Sequence, residues 1–314
     1  MSLLPLLAAG QGSVSDGLGV QNIGVSDGLS QNNVNGLALD ARGFLWVGTD
    51  DGLDRYDGGE FVSVRKVSSG GGPDGGDPCV TRVNVDASGH VWVVGHRGAV
   101  FCYSPVENAY VRLEGRGGES LRLPSEGIVC SADSMVLLYG CDAGACAFRM
   151  SNEGNPECVW QDTVRYCFAA SAPEGVWLYG GGRLSLVGAT GCVCQLDLAW
   201  STAPASAMAV AGGAALFADG SCSLRRVALP SGEVLPEISD LPRPVTDVVA
   251  LSGALVAAVH SDCGLTIVNS ESGAICPRSS LGADCLASSR VSVVRDSQGG
   301  VWFYDGAGAV YHYD

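Results

Sequence analysis

Short apolar stretches recur along the chain, and glycine, aspartate or asparagine separates them. In the first clear example Leu37 and Leu39 alternate with other residues, which is typical of a half-buried strand. The runs 44–47, 53–56 and 61–64 follow at short intervals, with turn-forming residues between them. This pattern predicts four short antiparallel strands, and no run of helical period competes with it.

Three segments repeat this pattern with the same marker residues. An aspartate lies six residues before a tryptophan in each: Asp40 and Trp46, Asp86 and Trp92, Asp296 and Trp302. Glycines follow each aspartate by three residues and each tryptophan by six: Gly43, Gly89 and Gly299, then Gly52, Gly98 and Gly308. We expect these tryptophans and Trp177 to pack between units, the aspartates to accept hydrogen bonds from turn amides, and the first set of glycines to adopt positive φ.

The spacing of the repeats sets the number of units. Trp46 and Trp92 are 46 residues apart, and weaker copies of the apolar strand fill the interval up to Trp302. These copies are centred on Leu137, Trp177, Leu216 and Val256. Seven units of four short strands predict an all-β fold, a seven-bladed β-propeller with four-stranded antiparallel blades.

The two ends of the sequence are expected to meet in the last blade. The seventh unit reaches Asp314 after three strands, and residues 21–25 occupy the place that a fourth strand takes elsewhere. We expect 21–25 to pair with Val310–Tyr313, which closes the ring and covers a sheet edge. Residues 1–12 resemble the apolar core and cleavage region of an export signal, so residues 13–314 are expected to form one propeller.

The segment from Ser26 to Phe61, SDGLSQNNVNGLALDARGFLWVGTDDGLDRYDGGEF, closely resembles the two-component regulator propeller repeat. In that family, propellers in the periplasmic sensor region of hybrid histidine kinases sense carbohydrate-derived ligands. The first two units and the last one carry the resemblance. It implies an exported, periplasmic sensor, tethered to the inner membrane in a longer protein. The implied partners are an oligosaccharide and a second propeller or other sensor domain. A homodimer remains an open alternative.

Composition and charge exclude several classes of protein. With 46% apolar and 16% charged residues, the chain is too hydrophobic to be disordered. Its 18 basic and 33 acidic residues give a net charge of −15, which repels nucleic acids. No apolar run reaches the length of about 20 residues that a membrane-spanning helix needs.

The sequence favours a binding module over an enzyme. No GxSxG, HExxH or phosphate-loop motif occurs, and no kinase region is present in the 314 residues. Two alternatives remain open. One is a protein-interaction scaffold, and the other is a propeller lyase or glycosidase, whose paired carboxylates would leave no linear signature.

Thirteen cysteines occur without a CxxC pair, so neither a zinc site nor any other metal or cofactor is expected. We expect most of them to be small buried side chains, with Cys192 and Cys194 on one face of a strand. Asp50, Asp51 and Asp54 lack the ordered spacing of a calcium loop and are interpreted as turn residues.

Loops alternate between the two ends of a four-stranded blade. Turns between second and third strands therefore share one end, here called the loop face, with the connections between blades. The connection 68–78 belongs to it, and we expect ligands to bind there. Its polar candidates are Asn32, Asn33, Asp50, His96, Arg97, His260 and Asp262. Amides, carboxylates and guanidinium groups suit a hydroxyl-rich ligand, and no residue is assigned a catalytic role.

Overall fold

The alternating apolar stretches form antiparallel strands throughout the computed structural model. It describes residues 20–64, 79–95, 98–113, 127–141, 144–151, 155–198, 205–260, 264–275, 292–295, 301–304 and 310–313. Strand β1 (Val20–Ile23) leads into a single turn of 3-10 helix, Val25–Asp27, and then into blade 1. The segment 1–12 lies outside the described residues, so its interpretation as an export signal stays a prediction.

The first four blades each contain four consecutive strands. Blade 1 comprises β2 (Val34–Leu39), β3 (Leu45–Thr49), β4 (Gly52–Tyr56) and β5 (Phe61–Ser63). Blade 2 comprises β6 (Val80–Val85), β7 (Val91–Gly95), β8 (Val100–Ser104) and β9 (Ala109–Arg112). Blade 3 comprises β10 (Gly127–Cys130), β11 (Val136–Cys141), β12 (Gly144–Met150) and β13 (Pro156–Asp162). Blade 4 comprises β14 (Phe168–Ala172), β15 (Gly175–Gly180), β16 (Arg183–Gly188) and β17 (Gly191–Asp197).

The remaining sheets complete the set of seven. Blade 5 comprises β18 (Ala207–Ala211), β19 (Ala214–Ala218), β20 (Leu224–Ala228) and β21 (Val234–Ile238). Blade 6 shows three strands within the described residues, β22 (Val245–Ser252), β23 (Leu255–His260) and β24 (Gly264–Asn269). Blade 7 comprises β25 (Ser292–Arg295), β26 (Val301–Tyr304), β27 (Val310–Tyr313) and the distant β1. The seven-bladed propeller predicted from the repeats is confirmed.

Strand β1 closes the ring, as the sequence predicts. It is antiparallel to β27, with Ile23 opposite Val310, and the strand order in blade 7 is β1-β27-β26-β25. The strand begins one residue earlier than expected, and Val25 lies in the 3-10 turn. The innermost strand of blade 7, β25, contacts the innermost strands of both blade 6 and blade 1. The seven sheets therefore surround one axis without a gap.

Apolar clusters between neighbouring blades form the core. Trp46 packs with Val83 and Tyr103 of blade 2, and Trp177 packs with Phe217 of blade 5. The marker tryptophans Trp46, Trp92, Trp177 and Trp302 are all buried. Their predicted role as packing anchors between blades is confirmed. Burying each ring removes a large apolar surface from water that no single blade could cover alone.

The repeated aspartates do more than was expected of them. Asp40 accepts hydrogen bonds from the amides of Arg42 and Phe44 at 2.9 and 3.0 Å, and also from the Trp46 indole N–H at 3.1 Å. Asp86 likewise accepts from two turn amides and, at 2.9 Å, from the Trp92 indole. The six-residue spacing therefore ties the turn to the packing anchor.

The glycines of these turns behave as predicted. Gly43 and Gly89 have φ values of +88° and +86°, a region that side chains with a Cβ rarely adopt. Asp296 and Gly299, the markers of the last unit, lie outside the described residues.

Replacing Asp86 by asparagine tests the bond to the indole. The amide can still accept from the turn, but its NH2 group then faces the Trp92 N–H, which leaves a buried donor without an acceptor. We expect a loss of about 2 kcal/mol of unfolding free energy, measured by thermal or urea unfolding. Asp57→Asn is the control, because exposed Asp57 accepts the amides of Gly59 and Glu60 in its own turn and no indole N–H in the described part of the chain. Equal effects of the two substitutions would contradict the assigned role.

One repeat is displaced by a residue from its predicted centre. Val256 packs in the cluster shared by blades 5 and 6, whereas the marker tryptophans face the following blade. Ala257 occupies the position in blade 6 that Trp46 occupies in blade 1. Each is paired with the corresponding residue of the third strand, Ala257 with Ile267 and Trp46 with Arg55. The run 254–259 is uniformly small and apolar, so its sequence does not show which face each side chain takes.

The expectation that most cysteines are buried is wrong for the nine whose side chains the structure describes. Three are buried (Cys102, Cys130, Cys146), three are half-buried (Cys79, Cys158, Cys194) and three are exposed (Cys167, Cys192, Cys222). All nine are free thiols. Burial raises the pKa of Cys102 and Cys130, so both stay protonated.

Cys192 and Cys194 do not share a face of their strand. Cys192 is paired with Val187 and Cys194 with the adjacent Leu186, so Val193 is the extra residue of a β-bulge. Cys194 therefore packs toward blade 5, whereas Cys192 lies on the side of blade 3. The strict two-residue alternation on which the prediction rested is interrupted at this point.

Candidate functional site

The loop face exists as predicted from the alternation of loops. The connection leading into blade 1 meets the turn between β3 and β4, where the Asp50 amide donates to the Asn33 carbonyl at 3.2 Å. The connection into blade 6 meets the turn between β19 and β20 of blade 5 in the same way, and the Leu241 amide donates to the Cys222 carbonyl at 3.1 Å. Inter-blade connections and second-to-third-strand turns therefore lie at one end.

Asn33 and Asp50, two of the predicted ligand residues, are in direct contact. The Asn33 side-chain amide donates to Asp50 Oδ2 at 2.8 Å, and that of Asn35 donates to Asp50 Oδ1 at 2.9 Å. The Cys79 thiol also donates to Oδ1, at 3.4 Å. Asn33 is exposed and Asp50 is half-buried. The cluster presents amide and carboxylate groups to solvent at the junction of blades 1 and 2.

Asn32 is exposed beside this cluster but serves its own loop. Its side-chain oxygen accepts the amide N–H of Val25 at 3.0 Å, which fixes the 3-10 turn after β1. Asn32 therefore joins the loop face to the strand that closes the ring.

His260 lies at the loop-face end of β23, but it is buried, with 2% of its surface exposed. Its Nδ1 contacts the Pro244 carbonyl at 3.3 Å and its Nε2 contacts the Thr266 hydroxyl at 2.8 Å. Since the carbonyl only accepts, Nδ1 carries the proton and Nε2 accepts from Thr266. Burial lowers the pKa of His260, which keeps the ring neutral. This residue supports the loop face rather than presenting a group on it.

The other three predicted residues, His96, Arg97 and Asp262, lie outside the described residues, as does the connection 68–78. Their assignment to the ligand-binding rim stays a prediction.

A buried carboxylate lies beneath the Asn33–Asp50 cluster, and it corrects the interpretation of Asp54 as a turn residue. Asp54 belongs to β4 and is fully buried. Its Oδ2 accepts the Ser30 amide at 3.0 Å and the Ser30 hydroxyl, and the latter also contacts the Thr49 hydroxyl at 3.1 Å. Because Ser30 follows the closing strand, this bond ties ring closure to blade 1.

The positions of Thr49 and Asp54 carry polar residues in other blades as well. Strand pairing makes Asp219 and Arg225 their equivalents in blade 5, and His260 and Thr266 their equivalents in blade 6. Asp219 and Arg225 form an ion pair at 2.8 Å. Sequence analysis missed this second pair because no marker residue is shared with blade 1. The signal that could have found it is the fixed offset from the strand centre at Leu216.

Neither a metal centre nor a membrane span is found in the described part of the chain. Its histidines, cysteines and acidic residues form no group of three or more that could hold a metal ion. Across the same residues, no helix has the length and apolar character needed to cross a bilayer.

Comparison with known proteins gives similar folds among solved structures and a family match for one repeat. Residues 28–51 match the family model of the two-component regulator propeller. No curated protein sequence matches the chain.

Among solved structures, the chain is similar to virginiamycin B lyase from Staphylococcus aureus, with 10% identity and a TM-score of 0.67 over 95% of this chain and 99% of that one. It is also similar to the extracellular domain of a hybrid two-component system from B. thetaiotaomicron, with 14% identity and a TM-score of 0.68 over 95% of this chain and 42% of that one. A chain of the mitotic checkpoint complex has 11% identity and a TM-score of 0.68 over 99% of this chain and 98% of that one. What these three share with the chain is the propeller fold. The family resemblance is therefore confirmed for one segment, because residues 28–51, around the start of blade 1, match the two-component regulator propeller model within a seven-bladed β-propeller.

Proposed function

We propose that this chain is the extracytoplasmic ligand-sensing propeller of a hybrid two-component system and that it recognises a carbohydrate-derived ligand on its loop face. The observation that carries the proposal is the match of residues 28–51 to the regulator propeller model. Those residues include the Asn33–Asp50 cluster on the loop face. The similar structure from B. thetaiotaomicron, an extracellular domain, supports the location.

The chemistry of the cluster suits a sugar. A sugar hydroxyl both donates and accepts hydrogen bonds, and it therefore needs a carboxylate or carbonyl beside an N–H group. Asn33 and Asp50 supply both on adjoining loops, 2.8 Å apart. Asp50 is already held by Asn33 and Asn35, so its carboxylate is fixed in place before a ligand arrives.

A thermal-shift screen tests the proposal. The panel consists of separate hexasaccharides of α-linked glucose, β-linked glucose, xylose, mannose and galacturonic acid. At a ligand concentration about 100-fold above Kd, binding adds about 2.7 kcal/mol of stability. We expect at least one sugar to raise the melting temperature by about 5 °C. Asn33→Ala and Asp50→Asn should reduce that shift, whereas Asp57→Asn, in a turn at the opposite end of blade 1, should not.

The alternatives give different results in the same screen. If no sugar changes the melting temperature, the sensor proposal fails and a protein-interaction scaffold is favoured. Chromatography of each mixture separates the third case, because a lyase or glycosidase releases shorter products. The enzymatic alternative is included because the similar structures contain virginiamycin B lyase and a streptogramin B lyase.

A further inference from the structure

The interface between blades 4 and 5 carries, near the loop face, an aromatic wall on the side of blade 4. Phe168 and Tyr179 are directly paired across β14 and β15, and their rings are stacked at 6.3 Å with an interplanar angle of 12°. Both side chains are half-buried. Phe168 is the first residue of the innermost strand, and Tyr179 is one residue from the loop-face end of β15. The pair therefore lies at the loop-face end of blade 4 and is partly open to solvent.

The aromatic wall turns toward blade 5. The ring of Tyr179 meets that of Phe217 edge to face, with centroids 4.9 Å apart. Phe217 is buried. The Tyr179 hydroxyl has no hydrogen-bond partner within the described residues. A phenol at a protein surface usually keeps such a group free for water or a ligand.

The side of blade 5 supplies a charged wall. Arg225 is paired with Phe217 on the neighbouring strand, so both side chains lie on the face toward blade 4. Its guanidinium donates to Asp219 Oδ2 at 2.8 Å, and Asp219 Oδ1 accepts the Ser221 amide at 3.0 Å. Hydrogen bonds from the Ser221 hydroxyl and from the Ser221 amide lower the pKa of Asp219, and so does the positive charge of Arg225. The carboxylate therefore stays ionised.

This pair differs from its equivalents in its exposure. Thr49 and Asp54 of blade 1 are fully buried, and His260 and Thr266 of blade 6 are 2% and 4% exposed. The side chains of Arg225 and Asp219 are 19% and 17% exposed. In blades 1 and 6 the residues at these two positions are buried and bond within the protein. In blade 5 their equivalents, Asp219 and Arg225, are partly exposed to solvent next to the Phe168–Tyr179 pair.

We propose that the Phe168–Tyr179 platform and the Asp219–Arg225 pair form a subsite for one pyranose ring of an oligosaccharide. The apolar face of the ring packs on the Tyr179 and Phe168 rings. Neighbouring hydroxyls of the sugar donate to Asp219 and accept from Arg225, which matches the double character of a hydroxyl group. An aliphatic or aromatic peptide side chain would leave this ion pair unused. The inference rests on the proposed function and specifies a second contact region, distinct from the Asn33–Asp50 cluster.

Fluorine NMR on the native sequence tests the subsite directly. The protein is labelled with 3-fluorotyrosine, and the resonance that disappears in Tyr179→Phe is assigned to Tyr179. Each hexasaccharide of the panel is then titrated into the labelled protein. We expect at least one sugar to shift the Tyr179 resonance in a saturable way, with a Kd that agrees with the thermal-shift result.

Substitutions give an independent measure of the same site. Arg225→Met should weaken the affinity for that sugar by about 10- to 100-fold, because a charged hydrogen bond is lost. Tyr179→Leu should weaken it by roughly tenfold. The matched controls are Arg183→Met, whose side chain belongs to an exposed ion pair on the other face of blade 4, and Tyr311→Phe, in a stacked pair of blade 7. Both controls should bind as the parent does. The melting temperature of each variant without sugar verifies that it folds.

The outcomes separate this inference from the proposed function. If a sugar raises the melting temperature while the Tyr179 resonance stays unmoved, or while Arg225→Met binds with unchanged affinity, the subsite is wrong and the sensor proposal survives. If no sugar of the panel changes either the melting temperature or any fluorine resonance, both are overturned.

Discussion

Deletion of residues 1–27 is expected to lower the unfolding midpoint more than any single substitution. The deletion removes β1, its pairing with Val310–Tyr313 and the side chain of Ile23, which is 1% exposed. Losing a buried isoleucine costs about 2–5 kcal/mol, and each ladder hydrogen bond adds about 1 kcal/mol. We expect the melting temperature to fall by about 10 °C or more in differential scanning calorimetry.

A peptide spanning residues 18–30 provides the specific control for this deletion. If the loss comes from an open edge at β27, the peptide should pair with that edge and restore part of the midpoint. A peptide with Ile23→Asp should not, because the carboxylate would enter the cluster of Trp302, Tyr304 and Val34. A deletion variant that melts with the parent would contradict closure by β1.

The closing segment also joins ring closure to the loop face. The ten residues after β1 make three such contacts: Ser30 bonds to the buried Asp54, Asn32 fixes the 3-10 turn, and Asn33 bonds to Asp50. A ligand held at Asn33 therefore contacts the same stretch of chain that seals blade 7. Binding that orders this stretch stabilises the closed ring by the same free energy with which closure favours binding.

The architecture followed from the sequence where marker residues are large and chemically distinctive. Trp46 and Trp92, each with an aspartate six residues earlier, set the period because a turn carboxylate and a buried indole need that fixed separation. The weaker repeats were located by strand content alone. For blade 6, strand content located the correct strand but centred it on Val256, whose side chain faces the preceding blade. Ala257 is the residue at the position of the marker tryptophans.

The candidate site was less accessible to sequence analysis, because exposure depends on packing across blades. His260 was expected on the rim, yet its partners Pro244 and Thr266 hold it inside the blade. The Asp219–Arg225 pair went unnoticed, because its importance lies in Phe217 and Tyr179 on adjoining strands and blades. The fixed offset from Leu216 marks the two positions in the sequence, but their contacts with the aromatic residues arise only from pairing in three dimensions.

Asp247→Asn is expected to stabilise the protein strongly at neutral and alkaline pH. Asp247 lies on β22, the innermost strand of blade 6, and its only hydrogen bond among the described residues is accepted from the Val248 amide at 2.7 Å. Burial raises the pKa of its carboxyl group from 3.8 to about 6. No described cation forms a salt bridge with it. Holding the charge in the folded state therefore costs about 3 kcal/mol, which the neutral amide avoids.

The stabilisation by Asp247→Asn is expected to depend on pH, because it comes from removing a buried charge. The folded state binds the Asp247 proton more tightly than the unfolded chain, so the parent protein gains stability as the pH falls from about 6 to 4. The advantage of Asp247→Asn should be full at pH 8, shrink below pH 6 and vanish below about pH 4, as urea unfolding at each pH would show. Asp197→Asn is the control, because that side chain is 83% exposed and should change the free energy little at any pH. His260 cannot produce the same trend, since its lowered pKa makes both proteins lose stability as the pH falls. An advantage that is equal at pH 4 and pH 8 would show that the Asp247 charge is not what destabilises the innermost strand.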